Sequence, residues 1–173
     1  KRPFAVELAS GDVVRARSVV IASGARYRKP PLENLAAFEG AGIYYAPTSM
    51  ERQICGGEEI VIVGGGNSAG QAAVYLAESV KRVHLLVRAA GLAESMSRYL
   101  IRRLEEHPRI ELHVRNEIVG LEAKDHLERV RWRCSPTGEV ETCAVRHVFM
   151  MTGAEPNTAW LAECIALVDK GFV

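Results

Sequence analysis

Six consecutive residues near the middle of the sequence have the types and spacing of a nucleotide-binding turn: Gly64, Gly65, Gly66, Asn67, Ser68 and Ala69. In this Gly-x-Gly-x-x-Ala pattern, Gly64 permits a sharp turn from a strand into a helix, and Gly66 lets the backbone approach a pyrophosphate. Ala69 lets the helix pack closely on the strand, and the backbone N–H groups near Asn67 and Ser68 face the anion. The pattern predicts a dinucleotide-binding site, with a glycine-rich turn that binds no ligand as the alternative.

A second candidate residue, Arg88, follows the glycine cluster at the distance where cofactor preference is usually set. Sites that prefer NAD generally carry Asp or Glu about 20 residues past the glycine motif, where it bonds the ribose 2′-hydroxyl. Residues 86–90 read Leu-Val-Arg-Ala-Ala and contain no acid. Because a guanidinium suits a 2′-phosphate, Arg88 predicts NADP(H) as the ligand. The alternative is an arginine that is merely solvated at a strand end.

The elements that must position these residues form a βαβ unit over residues 58–88. A continuous apolar run at 60–63 is typical of a strand buried on both faces, and Asn67 and Ser68 form a suitable N-cap pair for a helix that ends near Glu78. The pattern continues with a strand at 82–87, a helix at 97–107 and a strand at 110–114. The sequence therefore predicts an α/β, Rossmann-like FAD/NAD(P)-binding fold with a central parallel sheet.

The flanking sequence predicts strands without intervening helices. Alternating segments after the third strand predict an antiparallel β-meander crossover, whose last segment joins the parallel sheet; they are residues 117–123, 127–134, 139–144 and 147–151, with turns at 124–126 and 136–138. Residues 4–8 and 13–17 predict a hairpin, and the β-branched run at 18–25 predicts a further strand. Residues 26–39 read as a loop, and 158–164 as a short helix.

Composition and charge exclude several classes of function. The formal net charge is +1, which gives no electrostatic reason to expect a nucleic acid or an anionic membrane as partner. No apolar run approaches the roughly 18–20 residues that a membrane span requires. Residues 1–4 lack the apolar core of a signal peptide.

The four cysteines and one histidine favour structural roles. Cys55, Cys134, Cys143 and Cys164 contain no Cys-x-x-Cys pair, so we interpret them as free thiols of a cytoplasmic protein. Cys134 and Cys143 flank a predicted turn, so they could face each other across a hairpin, which would be incidental. His84 lies within an alternating strand and is interpreted as a packed or surface histidine rather than a ligand.

Several segments, taken in order, resemble one family. Residues 59–69 (Glu-Ile-Val-Ile-Val-Gly-Gly-Gly-Asn-Ser-Ala), 75–77 (Tyr-Leu-Ala) and 83–86 (Val-His-Leu-Leu) are similar to the NADPH domain of thioredoxin reductase-like flavoproteins. Residues 19–25 resemble the family's flavin-domain strand that ends in Ala-Thr-Gly, with Ser in place of Thr. Residues 148–158 resemble the matching return segment. The resemblance covers essentially the whole chain.

The resemblance implies a domain fragment of a longer flavoprotein oxidoreductase. Residues 1–40 would be the edge of an incomplete FAD-binding domain, 42–152 the NADPH-binding domain, and 153–173 the return segment to the FAD domain. Gly153 would belong to the cofactor site. The family's N-terminal FAD glycine motif and its C-terminal Gly-Asp segment are absent from this sequence. We therefore expect this chain alone to be inactive and to bind FAD poorly or not at all.

Three departures from the family's sequence change the activity and cofactor preference that the resemblance implies. Ala46 and Ser49 stand where the family has its two redox cysteines, and Cys55 lies too far along to substitute. Because disulphide exchange needs one thiol to attack and one to resolve, thioredoxin reduction is not expected. Ala89 replaces a second arginine that often follows Arg88, which weakens the NADP preference. The third departure is a glutamine at position 71, where many members have glutamate.

Two functions from different classes follow. The first is an oxidoreductase module that binds NADP(H) and delivers hydride to FAD in the full-length parent, for an unidentified electron acceptor. The second is a redox-inactive module that senses NADP(H) for a multidomain protein. A nucleotide-binding fold that has lost its ligand is a third reading, which the intact glycine motif opposes. A homodimer of the parent is left open.

Overall fold

The computed structural model of this chain describes residues 3–124 and 126–173. Lys1, Arg2 and Asp125 lie outside the described residues. Asp125 is the middle of the turn predicted at 124–126, and Lys1 and Arg2 begin the segment 1–4 that was examined for a signal peptide. The chain divides into two compact units, Tyr27–Ala154 and a smaller one formed by Lys1–Arg26 with Glu155–Val173. No helix in the described part of the chain has the length and apolar character that a membrane crossing needs.

Within the described residues, the secondary structure consists of short strands and three α-helices. The strands are β1 (Phe4–Glu7), β2 (Val13–Ala16), β3 (Ala25–Tyr27), β4 (Ile43–Tyr44), β5 (Glu59–Val63), β6 (Arg82–Val87), β7 (Ile110–Val114), β8 (Asn116–Ala123), β9 (Leu127–Cys134), β10 (Val140–Cys143), β11 (Val148–Met150) and β12 (Ala154–Pro156). The α-helices are α1 (Ser49–Ile54), α2 (Asn67–Ala77) and α3 (Arg98–Glu105). Single 3-10 turns occur at Leu35–Phe38 and Ala159–Leu161.

The larger unit is built on a five-stranded sheet in the order β4-β11-β5-β6-β7, in which neighbouring strands are parallel. The strand β5 lies at its centre, and all of Ile60–Val63 is buried. A strand that is covered on both faces must be apolar at every position, which is why this run shows no alternation. The predicted Rossmann-like fold with a central parallel sheet is confirmed.

Each face of the sheet has its own apolar core. On one face Ile60 and Ile62 belong to the cluster that contains the buried side chains of α2 and α3. The inner side of α2 is mostly alanine, so its backbone can approach the strands closely. On the other face Val61 and Val63 pack with Trp132 of the β8-β9-β10 meander. The meander is antiparallel and leads the chain from β7 back to β11, as the alternating segments predict.

The predicted strand at 18–25 is wrong over most of its length, because residues 18–24 form no strand and β3 begins only at Ala25. A β-branched run needs a neighbouring strand before its backbone can form a ladder. Here the carbonyls of Ser23 and Gly24 instead accept hydrogen bonds from Asn157, each at 3.0 Å. The side chain of Val20 is exposed.

Three smaller points also need correction. The chain after β4 contains α1, which was not predicted, and the predicted helix at 158–164 is only the 3-10 turn Ala159–Leu161. The last segment of the predicted meander joins the parallel sheet, as expected, and the antiparallel part has three strands within the described residues. Cys134 and Cys143 do not face each other, because Cys143 pairs with Val130 in the β9–β10 register. All four cysteines are free.

Candidate functional site

The first glycine of the turn is required by the backbone around it. Gly64 has φ = 149°, and its N–H donates a hydrogen bond of 3.0 Å to the carbonyl oxygen of Leu86. A Cβ atom at this position would lie 2.4 Å from the carbonyl oxygen of Met151 and 3.2 Å from the Cβ of Ala69. Only glycine therefore lets β5 turn into α2 between the ends of β6 and β11.

The next two glycines differ in what the fold demands of them. A Cβ atom on Gly65 would approach the Cγ1 atom of Val87 at 2.9 Å, which is closer than packed carbons allow. A Cβ atom on Gly66 would meet only the carbonyl oxygen of Ser95, at 3.9 Å. Packing within the chain therefore leaves open space at Gly66, which is the position whose backbone a pyrophosphate is expected to approach.

The N-terminus of α2 lies directly after this turn. Gly66 is its N-cap, in extended conformation and without a side-chain cap hydrogen bond, so the predicted cap pair lies one to two residues too late. The first-turn N–H groups of a helix, here those of Asn67, Ser68 and Ala69, have no partner within the helix. Because α2 has 11 residues, its dipole adds a partial positive charge at this end. The turn therefore presents donors that suit an anion.

Two hydrogen bonds connect the turn to the segment between β6 and α3. Ser95 Oγ donates to the carbonyl oxygen of Gly65 at 2.8 Å. The backbone N–H of Ser97 donates to Asn67 Oδ1 at 2.8 Å. The sequence does not predict these contacts, because they join residues that are 30 positions apart and depend on how β6 pairs with β5. They fix the turn against the segment that follows Arg88.

Arg88 lies at the end of β6 and lines a cavity of about 570 Å³. The other lining residues are Arg28, Lys29, Pro30, Pro31, Leu32, Val63, Glu117, Ile118, Val119, Arg133 and Thr152. The Arg88 side chain forms no hydrogen bond or ion pair with any residue that the structure describes. In contrast, Arg133 is paired with Glu117, and Lys29 Nζ lies 2.6 Å from Glu39 Oε1.

The predicted site residues follow three strands that are neighbours in the sheet. Residues 64–69 follow β5, Arg88 follows β6, and Gly153 lies three residues past the end of β11. In open α/β sheets, ligands bind in the crevice outside the carboxyl ends of the strands. The glycine turn does not itself line the cavity, but Val63, the residue just before it, does. The Gly153 carbonyl accepts a hydrogen bond from the Arg28 N–H at 2.9 Å.

Sequence reasoning missed three cations of this cavity, Arg28, Lys29 and Arg133. The first two lie in the segment 26–39, whose proline pair indicated only a loop. Arg133 lies on β9, where alternation indicated a solvated strand face. Nothing local in the sequence predicts that these residues come together beside Arg88, because Arg28 and Lys29, Arg133, and Arg88 belong to three distant segments.

The segment aligned with the family's redox cysteines holds a helix start. Thr48 is the N-cap of α1 and forms a capping box with Glu51, so Ser49 is the first helical residue. Thr-x-x-Glu is a recognisable sequence signature of a helix start, and it was the signal that could have predicted α1. Cys55, which ends this helix, is fully buried, and burial together with Glu58 and Glu51 raises the pKa of its thiol to about 12.

Comparison with known sequences finds a matching family model and related proteins. The sequence model of the family described as pyridine nucleotide-disulphide oxidoreductase matches residues 3–172. The F component of alkyl hydroperoxide reductase is 27% identical in Staphylococcus aureus over 168 residues and 29% identical in Pseudomonas putida over 169 residues. Each match covers 97% of this chain and 32% of the relative, so the chain spans about a third of the length of these relatives.

Solved structures show a similar fold. Thioredoxin reductase from Giardia duodenalis superimposes with a TM-score of 0.84 at 20% identity, over 100% of this chain and 56% of that protein. Thioredoxin reductase from Streptococcus pyogenes gives a TM-score of 0.81 at 23% identity, over 96% of this chain and 54% of that protein. At this level of identity the likeness concerns the fold.

Proposed function

Because the chain belongs to the pyridine nucleotide-disulphide oxidoreductase family, we propose that it binds NADP(H) at the carboxyl edge of its parallel sheet. One observation carries this proposal. Two anion-binding features stand at the ends of adjacent strands: the N-terminus of α2 after β5, which no side chain caps, and Arg88 after β6, which pairs with no described residue. A dinucleotide with a 2′-phosphate presents two anionic groups, and these features match them.

Different residues bind different groups of the nucleotide. The first-turn N–H groups of Asn67, Ser68 and Ala69 receive the pyrophosphate, and the space at Gly66 lets it approach the backbone. Arg88 receives the 2′-phosphate. Gly153, where a Cβ atom would meet no atom within 4 Å, leaves room beside β11 for the rest of the nucleotide. When bound, the reduced nicotinamide of NADPH supplies a hydride, and its acceptor is FAD in the longer parent.

The flavin belongs to other parts of that parent. Within residues 3–124 and 126–173, only β5 and α2 form a strand, glycine turn and helix in succession. We propose that 42–152 act as the NADPH-binding domain, and that 1–40 and 153–173 are edges of a FAD-binding domain completed elsewhere. The electron acceptor is expected to be reached without a Cys-x-x-Cys pair, because Ala46 and Ser49 occupy those positions.

Calorimetry with NADPH and NADH tests the nucleotide assignment. We expect the chain to prefer NADPH by roughly tenfold, which is about 1.4 kcal/mol and suits one charge-assisted contact. Arg88→Ala should remove the preference and leave NADH binding nearly unchanged. The control is Arg103→Ala, which removes an exposed arginine that does not line the cavity. Equal affinities in the unmodified chain would refute the NADP preference, and no binding of either nucleotide would refute the site.

A second candidate function, NADP(H) sensing without electron transfer, is favoured by the missing dithiol. The remaining thiol near that segment, Cys55, is buried and held protonated, so it offers no redox replacement. The FAD-loaded, full-length parent separates the two functions when it is given NADPH and ferricyanide. Reduction of ferricyanide supports the reductase, whereas tight NADPH binding without turnover supports the sensor.

A further inference from the structure

Three side chains of types that commonly bind metals cluster on the meander-facing side of the parallel sheet. His84 is on β6, and Glu111 and His113 are on β7. In the parallel register His84 pairs with Glu111, and Leu86 pairs with His113. Because alternate residues of a strand point to the same face, these three side chains project together. His84 is 27 and 29 residues from the other two in sequence, so the pairing of β6 with β7 creates the cluster.

The distances within the cluster fit one small cation. His84 Nδ1 lies 3.2 Å from His113 Nε2 and 3.9 Å from Glu111 Oε2, and His113 Nε2 lies 3.6 Å from Glu111 Oε1. Zinc bonds to nitrogen and oxygen are about 2.0–2.2 Å long, so the ligand atoms of a tetrahedral site are about 3.3–3.6 Å apart. The His84–His113 separation and the separation of His113 from Glu111 Oε1 bracket that range, and one ligand atom from each of the three residues lies within 4.8 Å of the others.

We propose that His84, Glu111 and His113 form a binding site for a zinc-class divalent cation. Two histidines and one carboxylate are a recurrent ligand set for zinc, with the fourth position left to water. The His84 side chain is 8% exposed and that of Glu111 is 45% exposed, so the site is anchored in the core and open to solvent on one side. A cation would join β6 to β7 at this point.

The neighbouring side chains orient these ligands as an outer shell does. Glu59 Oε2 lies 3.4 Å from His84 Nε2, so the ring can donate its Nε2–H to this carboxylate and keep Nδ1 for the metal. Arg82 donates to Glu111 Oε2 at 2.8 Å, which leaves Oε1 available. The Trp132 ring packs against both imidazoles, with centroids 5.5 Å from His84 and 5.4 Å from His113.

A rival ligand set shares His84 through its other nitrogen, together with Glu59 and Cys143. The geometry favours it less. Cys143 Sγ lies 3.9 Å from His84 Nε2, and this set contains one imidazole where the preferred set contains two. A basic side chain occupies one carboxylate oxygen in each set, so the ion pairs favour neither. In the preferred set Glu59 acts on His84 as an orienting carboxylate, which is the usual partner of a metal-bound imidazole.

Metal titration of the chelator-treated 173-residue chain tests the proposal. Calorimetry with Zn²⁺ should show one site, and Co²⁺ should give the intense visible absorption of a tetrahedral complex. His113→Gln and Glu111→Gln should each weaken Zn²⁺ binding by about a hundredfold or more, since loss of an outer-shell partner alone costs roughly 10–100-fold. Both side chains are less buried than His84, and the circular dichroism of the metal-free variants checks that they fold.

Two control variants test whether the loss of Zn²⁺ binding is specific to the proposed ligands. His126→Gln, which changes an exposed histidine outside the cluster, and Cys143→Ser should both bind Zn²⁺ as the unmodified chain does. Loss of binding in Cys143→Ser with retention in His113→Gln would overturn the assignment in favour of the rival set. Absence of a stoichiometric site in the unmodified chain would mean that the histidines only bond each other, and would overturn the proposal outright.

Discussion

Asn67 Oδ1 accepts a hydrogen bond from the backbone N–H of Ser97, so the first residue of α2 holds the residue that caps α3. Asn67→Ala should therefore lower the free energy of unfolding by about 1 kcal/mol, the usual net value of one such bond. Ser68→Ala, which changes the exposed neighbouring side chain, is the control. Thermal denaturation compares the two variants, and equal stabilities would show that the bond contributes nothing.

Asn67→Asp separates this structural role from nucleotide binding. The carboxylate can still accept from the Ser97 N–H, and a negative charge in the first turn of α2 interacts favourably with the helix dipole. We expect stability to be kept. The same charge repels a pyrophosphate at that position, so NADPH affinity in calorimetry should fall by roughly tenfold or more. Unchanged affinity would place the pyrophosphate elsewhere.

Gly64→Ala should destabilise the chain itself. The substitution combines a φ of 149° with a Cβ atom 2.4 Å from the Met151 carbonyl oxygen, and neither backbone can move far within the sheet. The expected loss is about 3 kcal/mol or more in denaturant unfolding. Gly91→Ala is the matched control, because a Cβ atom there meets no atom within 4 Å. Similar stabilities of the two variants would contradict the strained turn.

Gly66→Ala should leave stability nearly unchanged and weaken nucleotide binding. A Cβ atom there makes only an ordinary contact with Ser95, so the free energy of unfolding should change by less than about 1 kcal/mol. The methyl group nevertheless enters the space proposed for the pyrophosphate, so calorimetry should show NADPH and NADH both weakened. If Gly66→Ala bound both nucleotides normally, the glycine would have no role in binding.

Features of the fold that are encoded locally could be predicted from the sequence. The buried strand, glycine turn and helix around Gly64 were predicted because each carries its own signal within a few residues. The resemblance to thioredoxin reductase-like flavoproteins is likewise confirmed by the family match and the similar folds. The two-residue strand β4 was missed, because Ile43 and Tyr44 are a strand only through their pairing with β11.

The residues that surround the candidate site were harder to predict than the fold. Arg88 was proposed as a site residue from its spacing after the glycines, and it lines the cavity, whereas Arg28 and Arg133 reach the cavity only through tertiary packing. His84 was interpreted as a packed or surface histidine, and it is indeed buried. Its contact with His113 depends on the pairing of β6 with β7, which joins residues 29 positions apart and has no local signal in the sequence.

Thiol reactivity should separate Cys55 from Cys164. The Cys55 thiol is fully buried, and its pKa of about 12 lies far above neutral pH. Since the thiolate is the reactive form, only roughly one molecule in 10,000 carries it at pH 8. Cys164 is exposed, so iodoacetamide should label it at least about a hundredfold faster than Cys55.

Peptide mass spectrometry of the folded chain at pH 8 measures both rates, and labelling in urea, where every thiol is accessible, is the control. Equal labelling of the two thiols in the folded chain would contradict the burial of Cys55. Cys55 would then be a candidate for disulphide exchange. Slow labelling of Cys55 would leave the segment around Ala46 and Ser49 without a thiol able to attack a disulphide, which any thioredoxin-directed electron transfer would require.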